Sequence, residues 1–204
     1  MQLLVNILYS ITVTLGAPTI IALLFTLAWT LYEIGGFLRE WRDRRSASKA
    51  WKKYLTTIPE KGRSQASLKD DFYALASYPT LLVIFAERSR DFQDNHMYLN
   101  KIITEIEMIA NKSCNILRTC VRIGPMLGLM GTLIPMGPAL KAISTGNLEN
   151  MSNNLIIAFS TTVTGLAIAG LCYVMFVARL HWYAKDVSDI EFLLETIFST
   201  EDEK

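Results

Sequence analysis

The stretch MSNNLIIAFSTTVTGLAIAGLCYVMFVA, Met151–Ala178, decides how the rest of the chain is read. It carries no charged side chain, and it exceeds the roughly 20 residues that cross a hydrocarbon core. Yet it is not uniformly oily. Ala158, Thr162, Gly165, Ala169 and Cys172 recur at steps of four, three, four and three, which places them on one face of a helix. Lipid is met well enough by Leu or Ile. Small residues on one face let another helix approach closely, and hydroxyls among them can meet water or a moving ion. Ile123–Leu140 repeats the device with Gly128, Thr132, Pro135 and Ala139. The two stretches read as the wall of an intramembrane pathway built from packed helices.

A third charge-free block, Leu3–Tyr32, lies near the start. The chain has 204 residues, 51% of them hydrophobic, and a net charge of only +1, so nothing points to nucleic acid or to a strongly acidic partner. The expected fold class is an all-α membrane protein with three transmembrane helices. The first block reads as an uncleaved anchor rather than a secretory leader. Met1 and Gln2 supply no basic start, and no small-x-small site closes it. Its core is Pro18–Ile34, with Leu3–Thr14 a separate helix at the surface. Arg39, Arg42, Arg44, Arg45, Lys49, Lys52 and Lys53 follow the first span, Arg179 and Lys185 follow the third, and the 141–152 loop carries only Lys141 and Glu149. The positive-inside rule then puts the N-terminus outside, Arg39–Arg122 and the C-terminus in the cytoplasm, and the 141–152 loop outside.

Four parts follow along the chain. Residues 1–38 hold the outer helix and first span. Residues 39–96 are a cytoplasmic helical segment, with helices over Arg39–Thr57, Ser67–Ser77 and Thr80–Asp94, a break at Pro59–Gly62 and a polar turn at Asp94–His96. Residues 97–199 form two long helices containing the second and third spans and extending into the cytoplasm, with 200–204 a polar tail. In the first of these helices Ile102, Ile103, Ile106, Ile109, Ile116, Leu117, Cys120 and Val121 keep to one broad face. The second runs through His181, Asp186, Ile190, Leu193 and Leu194 to about Phe198.

Catalytic motifs are missing. His96 and His181 are far apart, no glycine-rich loop follows a strand, and Cys114, Cys120 and Cys172 lack metal-ligand spacing. No enzyme activity, metal or cofactor is expected. Gly124-xxx-Gly128 is a close-packing pattern. Pro125, Pro135 and Pro138 each remove a backbone donor, which spanning helices tolerate where a neighbour satisfies the freed carbonyl. Ser160, Thr161, Thr162 and Thr164 lie mid-span, where a hydroxyl can bond back to the carbonyl four residues earlier. Thr162 shares the small face; Thr161 lies off it.

The run Ile123-Gly-Pro-Met-Leu-Gly-Leu-Met-Gly-Thr132 resembles the second-span motif of the ExbB/TolQ proton-channel family, related to the MotA flagellar stator. Ala158-Phe-Ser-Thr-Thr162-Val-Thr-Gly165-Leu166-Ala-Ile resembles its third-span motif, in which a threonine precedes Gly-Leu by three residues. The match is specific over about Arg118–Val177 and architectural elsewhere. It implies pore-lining roles for Thr132 and Thr162, with Ser160, Thr161 and Gly165 on the ion pathway. Pro125 would stand at the mouth, and Gly124, Gly128, Gly131, Pro135, Ala158 and Ala169 in helix packing. It implies a pentamer around a single-span partner like ExbD, TolR or MotB with an intramembrane aspartate. The location would be a cytoplasmic or inner membrane, and the role coupling of an ion-motive force, with protons first, to mechanical work. The sequence departs from the pattern at Ile157, where many relatives have glutamate, at Ala169, where they have proline, and near Pro135, where a glycine is missing. Proton versus sodium and the exact subfamily stay open. The rival reading is a membrane scaffold that conducts nothing; a small-solute transporter is disfavoured by the lack of repeats. The topology is checked by cysteine labelling: Ser64→Cys should react only from the cytoplasmic side and Asn147→Cys only from outside, and the reverse pattern would invert both motif helices.

Overall fold

The computed structural model describes residues 1–57, 70–73, 81–90 and 96–197, and of residues 47–50, 57, 96 and 197 only the backbone. Among them there is no strand. The helices are α1 (Gln2–Thr14), α2 (Gly16–Thr57), α3 (Leu81–Ser89), α4 (His96–Ser144) and α5 (Leu148–Ile197), with a further helical turn at 70–73. Three of the helical segments are long and apolar enough to cross a bilayer. At 1.5 Å per residue, α4 and α5 each run about 70–75 Å, more than twice the roughly 30 Å of hydrocarbon. Contacts divide the chain into two units, Met1–Ile34 with Ile116–Phe176 and Gly35–Asn115 with Val177–Lys204.

In the first unit α1 has no buried residue and joins α2 through Leu15 alone. The inward side of α2 is unexpectedly polar. Thr19, Leu23 and Thr30 are buried, at steps of four and seven. Each threonine hydroxyl donates to the carbonyl one turn back, Thr19 to Leu15 at 2.7 Å and Thr30 to Thr26 at 2.8 Å. Neither of these two hydroxyls is therefore left unpaired within the span. Thr30 is fully buried with its oxygen 3.7 Å from the sulfur of Cys172 on α5. Residues α4 and α5 share a tight turn. Gly146 takes φ +72, its N–H donates to Ile143 O, and Asn147 N–H reaches back to Ala142 O. This is a Schellman close that a residue with a Cβ would strain. The Asn147 side chain then caps α5 by accepting from Asn150 N–H at 3.0 Å. The connection is thus far shorter than the 141–152 loop read from sequence.

The second unit holds a conventional core. Trp51 and Tyr54 of α2, Phe72, Leu82 and Phe85, Leu99, Ile102 and Ile106 of α4, and Ile190 and Leu193 of α5 are all buried. Beside it lies a partly buried ionic chain. Arg44 donates two hydrogen bonds to Asp186, at 2.9 and 2.7 Å, and one to Glu40 at 3.2 Å; Arg179 donates to the other oxygen of Glu40 at 3.2 Å. Trp182 stacks on Phe37 with centroids 5.2 Å apart, and the Arg44 guanidinium lies over the Trp182 ring. Trp51 Nε1 donates to Asp189 at 2.7 Å. Burial works against the Arg44 charge, but the Asp186 hydrogen bonds and the two carboxylates outweigh it, so its pKa lies above the ordinary value. Burial, then Glu40, pushes the Tyr183 hydroxyl up to about 12, with Arg179 and Arg44 pulling the other way.

Several sequence expectations shift here. Arg39–Thr57 is not a separate helix but the continuation of the first span, since Gly35 and Gly36 do not break α2. Each glycine costs about 1 kcal/mol in a helix, and the Glu40–Arg44 pair one turn further on, at 3.2 Å, favours the helical backbone. Helix α3 stops at Ser89, short of Asp94. Of the expected turn at Asp94–His96, residues 94–95 lie outside the described residues and His96 opens α4 instead; most of Ser67–Ser77 also lies outside them. Ile116 is 46% exposed, unlike its neighbour Leu117, because the buried face of α4 steps through Ile103, Ile106, Ala110, Cys114 and Leu117.

Breaking the ionic chain on one side strands a buried charge. Asp186→Asn is expected to lower stability by about 3–5 kcal/mol, whereas Arg44→Met with Asp186→Leu should recover most of it, read from thermal unfolding of the purified protein. Equal losses in the single and double variants would show that the pair holds nothing. The Tyr183 hydroxyl titrates higher folded than unfolded, so its contribution is complete below about pH 10 and is lost between there and its folded value of about 12. Tyr183→Phe should flatten stability over that alkaline window, and an unchanged alkaline limb would contradict this.

Candidate functional site

Helices α4 and α5 cross at glycines within the first unit. A Cβ on Gly165 would lie 2.5 Å from the Gly124 carbonyl oxygen and 2.9 Å from Gly128 Cα. A Cβ on Gly124 would lie 2.7 Å from the Gly165 oxygen and 3.2 Å from Ala169 N. The obstacles are backbone atoms, which cannot swing aside, so only glycine allows this approach. Gly128 is less confined, its Cβ meeting Thr161 O at 3.3 Å. One turn along, Gly131 leaves the hole that the Thr161 side chain fills; a Cβ there would sit 2.6 Å from Thr161 Cβ and Oγ1.

The face of α5 buried against this crossing therefore runs Ala158, Thr161, Gly165, Ile168, Ala169 and Cys172. This corrects the reading from spacing, which puts Thr161 off the small face and Thr162 on it. Thr161 is three residues after Ala158 and four before Gly165, so it lies on the same stripe, and the missing side chain of Gly131 gives it room. Its hydroxyl is already used, donating to Ile157 O at 3.0 Å and Ala158 O at 2.9 Å. Thr162 stands half-buried at the margin of the crossing. Its hydroxyl bonds only to Ala158 O, at 3.3 Å, a carbonyl it shares with Thr161.

The other hydroxyls are arranged differently. Thr132 is half-buried on α4 and donates to Leu129 O at 2.7 Å. Ser160 is exposed, and Thr164 donates to its carbonyl at 2.8 Å. Pro125 and Pro135 are half-buried, and α4 passes through both and Pro138 without a break. Each of these hydroxyls keeps lone pairs for a further donor. Gly124, Gly128, Gly131, Ala158, Gly165 and Ala169 thus meet in one contact. Thr132, Thr162, Ser160 and Thr164 border it or face outward, and the three threonine hydroxyls donate within their own helices. Between Ile123 and Leu140, and between Met151 and Ala178, no Asp, Glu, Lys, Arg or His occurs. The polar inward side of α2, with Thr19 and Thr30, was not legible as part of this assembly. The signal is present in the spacing of Thr19, Leu23, Thr26 and Thr30, four, three and four residues apart, but a span read only for length hides it.

The fold is that of a helical membrane protein whose late pair of spans is closely packed. A model of the MotA/TolQ/ExbB proton channel family matches residues 69–190, and the chain belongs to that family. No curated protein and no solved structure matches it.

The crossing predicts a graded series. Gly165→Ala should separate α4 from α5 and cost about 1–3 kcal/mol, the usual scale of overpacking. Gly128→Ala should cost less, and Gly170→Ala, whose Cβ would meet nothing within 4 Å, should cost nothing and gain up to about 1 kcal/mol of helix propensity. Thermal unfolding of the purified protein checks the order. Equal behaviour of the Gly165 and Gly170 variants would contradict it.

Proposed function

We propose that this chain is the channel-forming subunit of an ion-driven motor in a cytoplasmic or inner membrane, with protons the first candidate ion. One observation carries the reading. The crossing of α4 and α5 presents hydroxyls beside a glycine contact, in spans that contain no acid or base of their own. A threonine hydroxyl cannot take up and release a proton near neutral pH, so the titrating group must come from another chain. A single-span partner of the ExbD, TolR or MotB type, with an intramembrane aspartate, supplies such a group. Family membership supports that partner class and the pentamer that would surround it.

In this mechanism the partner's carboxylate sits against the wall bearing Thr132 and Thr162. The weakly held Thr162 hydroxyl donates to the carboxylate or orders water beside it. Protonation from one side of the membrane removes the charge, and release to the other restores it. Each cycle changes which contacts with the wall are favourable, so the helices turn relative to one another and pass work onward. A charge crossing 100 mV yields about 2.3 kcal/mol, so several ions drive a modest step. The N-terminus would lie outside. The portions of α4 and α5 beyond the bilayer would form a cytoplasmic bundle with the 39–96 segment, the polar tail 200–204 following it.

Reconstitution tests this directly. The chain alone in liposomes should pass no protons, and the complex with its single-span partner should. Thr162→Val should abolish flux and leave assembly intact. Thr161→Val should leave flux in place, since its hydroxyl is spent within α5 and valine fills the same hole. Robust flux from the chain alone would overturn the mechanism. Assembly with no flux in the presence of the partner would favour a non-conducting scaffold.

A further inference from the structure

A pocket of about 610 Å³ opens in the second unit between α2, α3, α4 and α5. That volume lies within the range of small-ligand sites, roughly 300–1,000 Å³. One wall is apolar, made by Leu81, Val83 and Ile84 of α3 and Ile109 of α4. Along the facing side α2 contributes Arg39 and Asp43.

Those two charges are spaced like Glu40 and Arg44, which pair at 3.2 Å. Arg39 and Asp43 do not pair, and neither has a hydrogen-bond or ion-pair partner among the described residues. Order accounts for the difference. An anion preceding a cation by four residues aligns well with the helix, and the reverse order less so. Among the described residues the pocket therefore offers one unpaired cation and one unpaired carboxylate, with Cβ atoms about 5–6 Å apart, beside an apolar wall. Its height along α2 narrows the occupant. Arg39 follows Ile34, the last residue of the apolar span, by five positions, about 7.5 Å along the axis. Lipid headgroups fill a layer about 5–8 Å deep beyond the hydrocarbon.

We propose that this pocket binds one phosphatidylethanolamine molecule. Its phosphate meets Arg39, its ammonium donates to Asp43, and one acyl chain lies along Leu81, Val83, Ile84 and Ile109. Phosphate and ammonium are separated by two methylenes, which suits charges one helical turn apart. Phosphatidylcholine keeps the phosphate, but its trimethylated nitrogen has no N–H for Asp43. Phosphatidylglycerol has no cation at all. Of these three heads, ethanolamine is the one that offers a partner to both groups.

Native mass spectrometry of the assembled protein, extracted in mild detergent and re-lipidated from defined vesicles, tests this. Phosphatidylethanolamine should be retained at about tenfold over phosphatidylcholine or phosphatidylglycerol, the discrimination expected of one charge-assisted hydrogen bond. Asp43→Asn should shrink the preference over phosphatidylcholine, weakening phosphatidylethanolamine more than phosphatidylcholine. Arg39→Gln should weaken all three lipids. Arg42→Gln, exposed on the same helix but outside the pocket, should change none. Glycerophosphoethanolamine without acyl chains should fail to compete. Equal retention of the three lipids by the wild type, an unchanged preference in Asp43→Asn, or full competition by the soluble headgroup would each overturn the assignment.

Discussion

The close backbone approach between Gly124 and Gly165 sets what the membrane part can be. Lipid tails are as apolar as leucine, so nothing squeezes two spans together as water squeezes a soluble core. Association must come from contact itself, and contact is densest where backbones meet without side chains between them. Gly124, Gly128 and Gly165 provide that meeting, and Thr161 fills the hole left by Gly131. The remaining hydroxyls are displaced to the margin. The same packing that holds the pair together thus decides which polar groups stay available to another molecule.

A second constraint acts in the other unit, by the opposite means. There Arg44, bound to Asp186 and Glu40, and Arg179, bound to Glu40, join α2 to α5 through charge. Such a chain adds little net stability over apolar packing, but it is severe on a missing member. It fixes the register of one helix against the other, as buried polar groups do in coiled coils. The stacked Phe37 and Trp182 rings shield it.

Much of this was legible in the residues. The charge-free blocks give the spans, and small residues at steps of three and four give the face on which α4 and α5 meet. The error at Thr161 has a physical origin. Spacing alone weighs Thr161 and Thr162 almost equally, since both lie within a turn of Ala158 and Gly165. What separates them is Gly131 on the other helix, and no single-helix pattern contains that information. Glu40, Arg44 and Asp186 were hidden for a similar reason. Read by themselves, Arg44 belongs to a basic cluster, and Asp186 shares a run with Ile190 and Leu193 that names no partner for it. Only the fold brings together residues separated by more than a hundred positions. Yet the α2 stepping through Thr19, Leu23, Thr26 and Thr30 continues through Glu33, Phe37, Glu40 and Arg44. A heptad test of the whole helix would have marked those charges as inward.

The central claim is that a wall without its own acid presents its marginal hydroxyls to an acid on another chain. Disulfide trapping reads this most directly. Cysteine at Thr162 or Thr132 is paired in turn with cysteines one turn either side of the partner's intramembrane aspartate, in the assembled complex in membranes. The account predicts cross-links from both positions, and none from Val163, which is 67% exposed on a different side of α5. Cross-links from Val163 but not from Thr162 would place the partner on another face and contradict it.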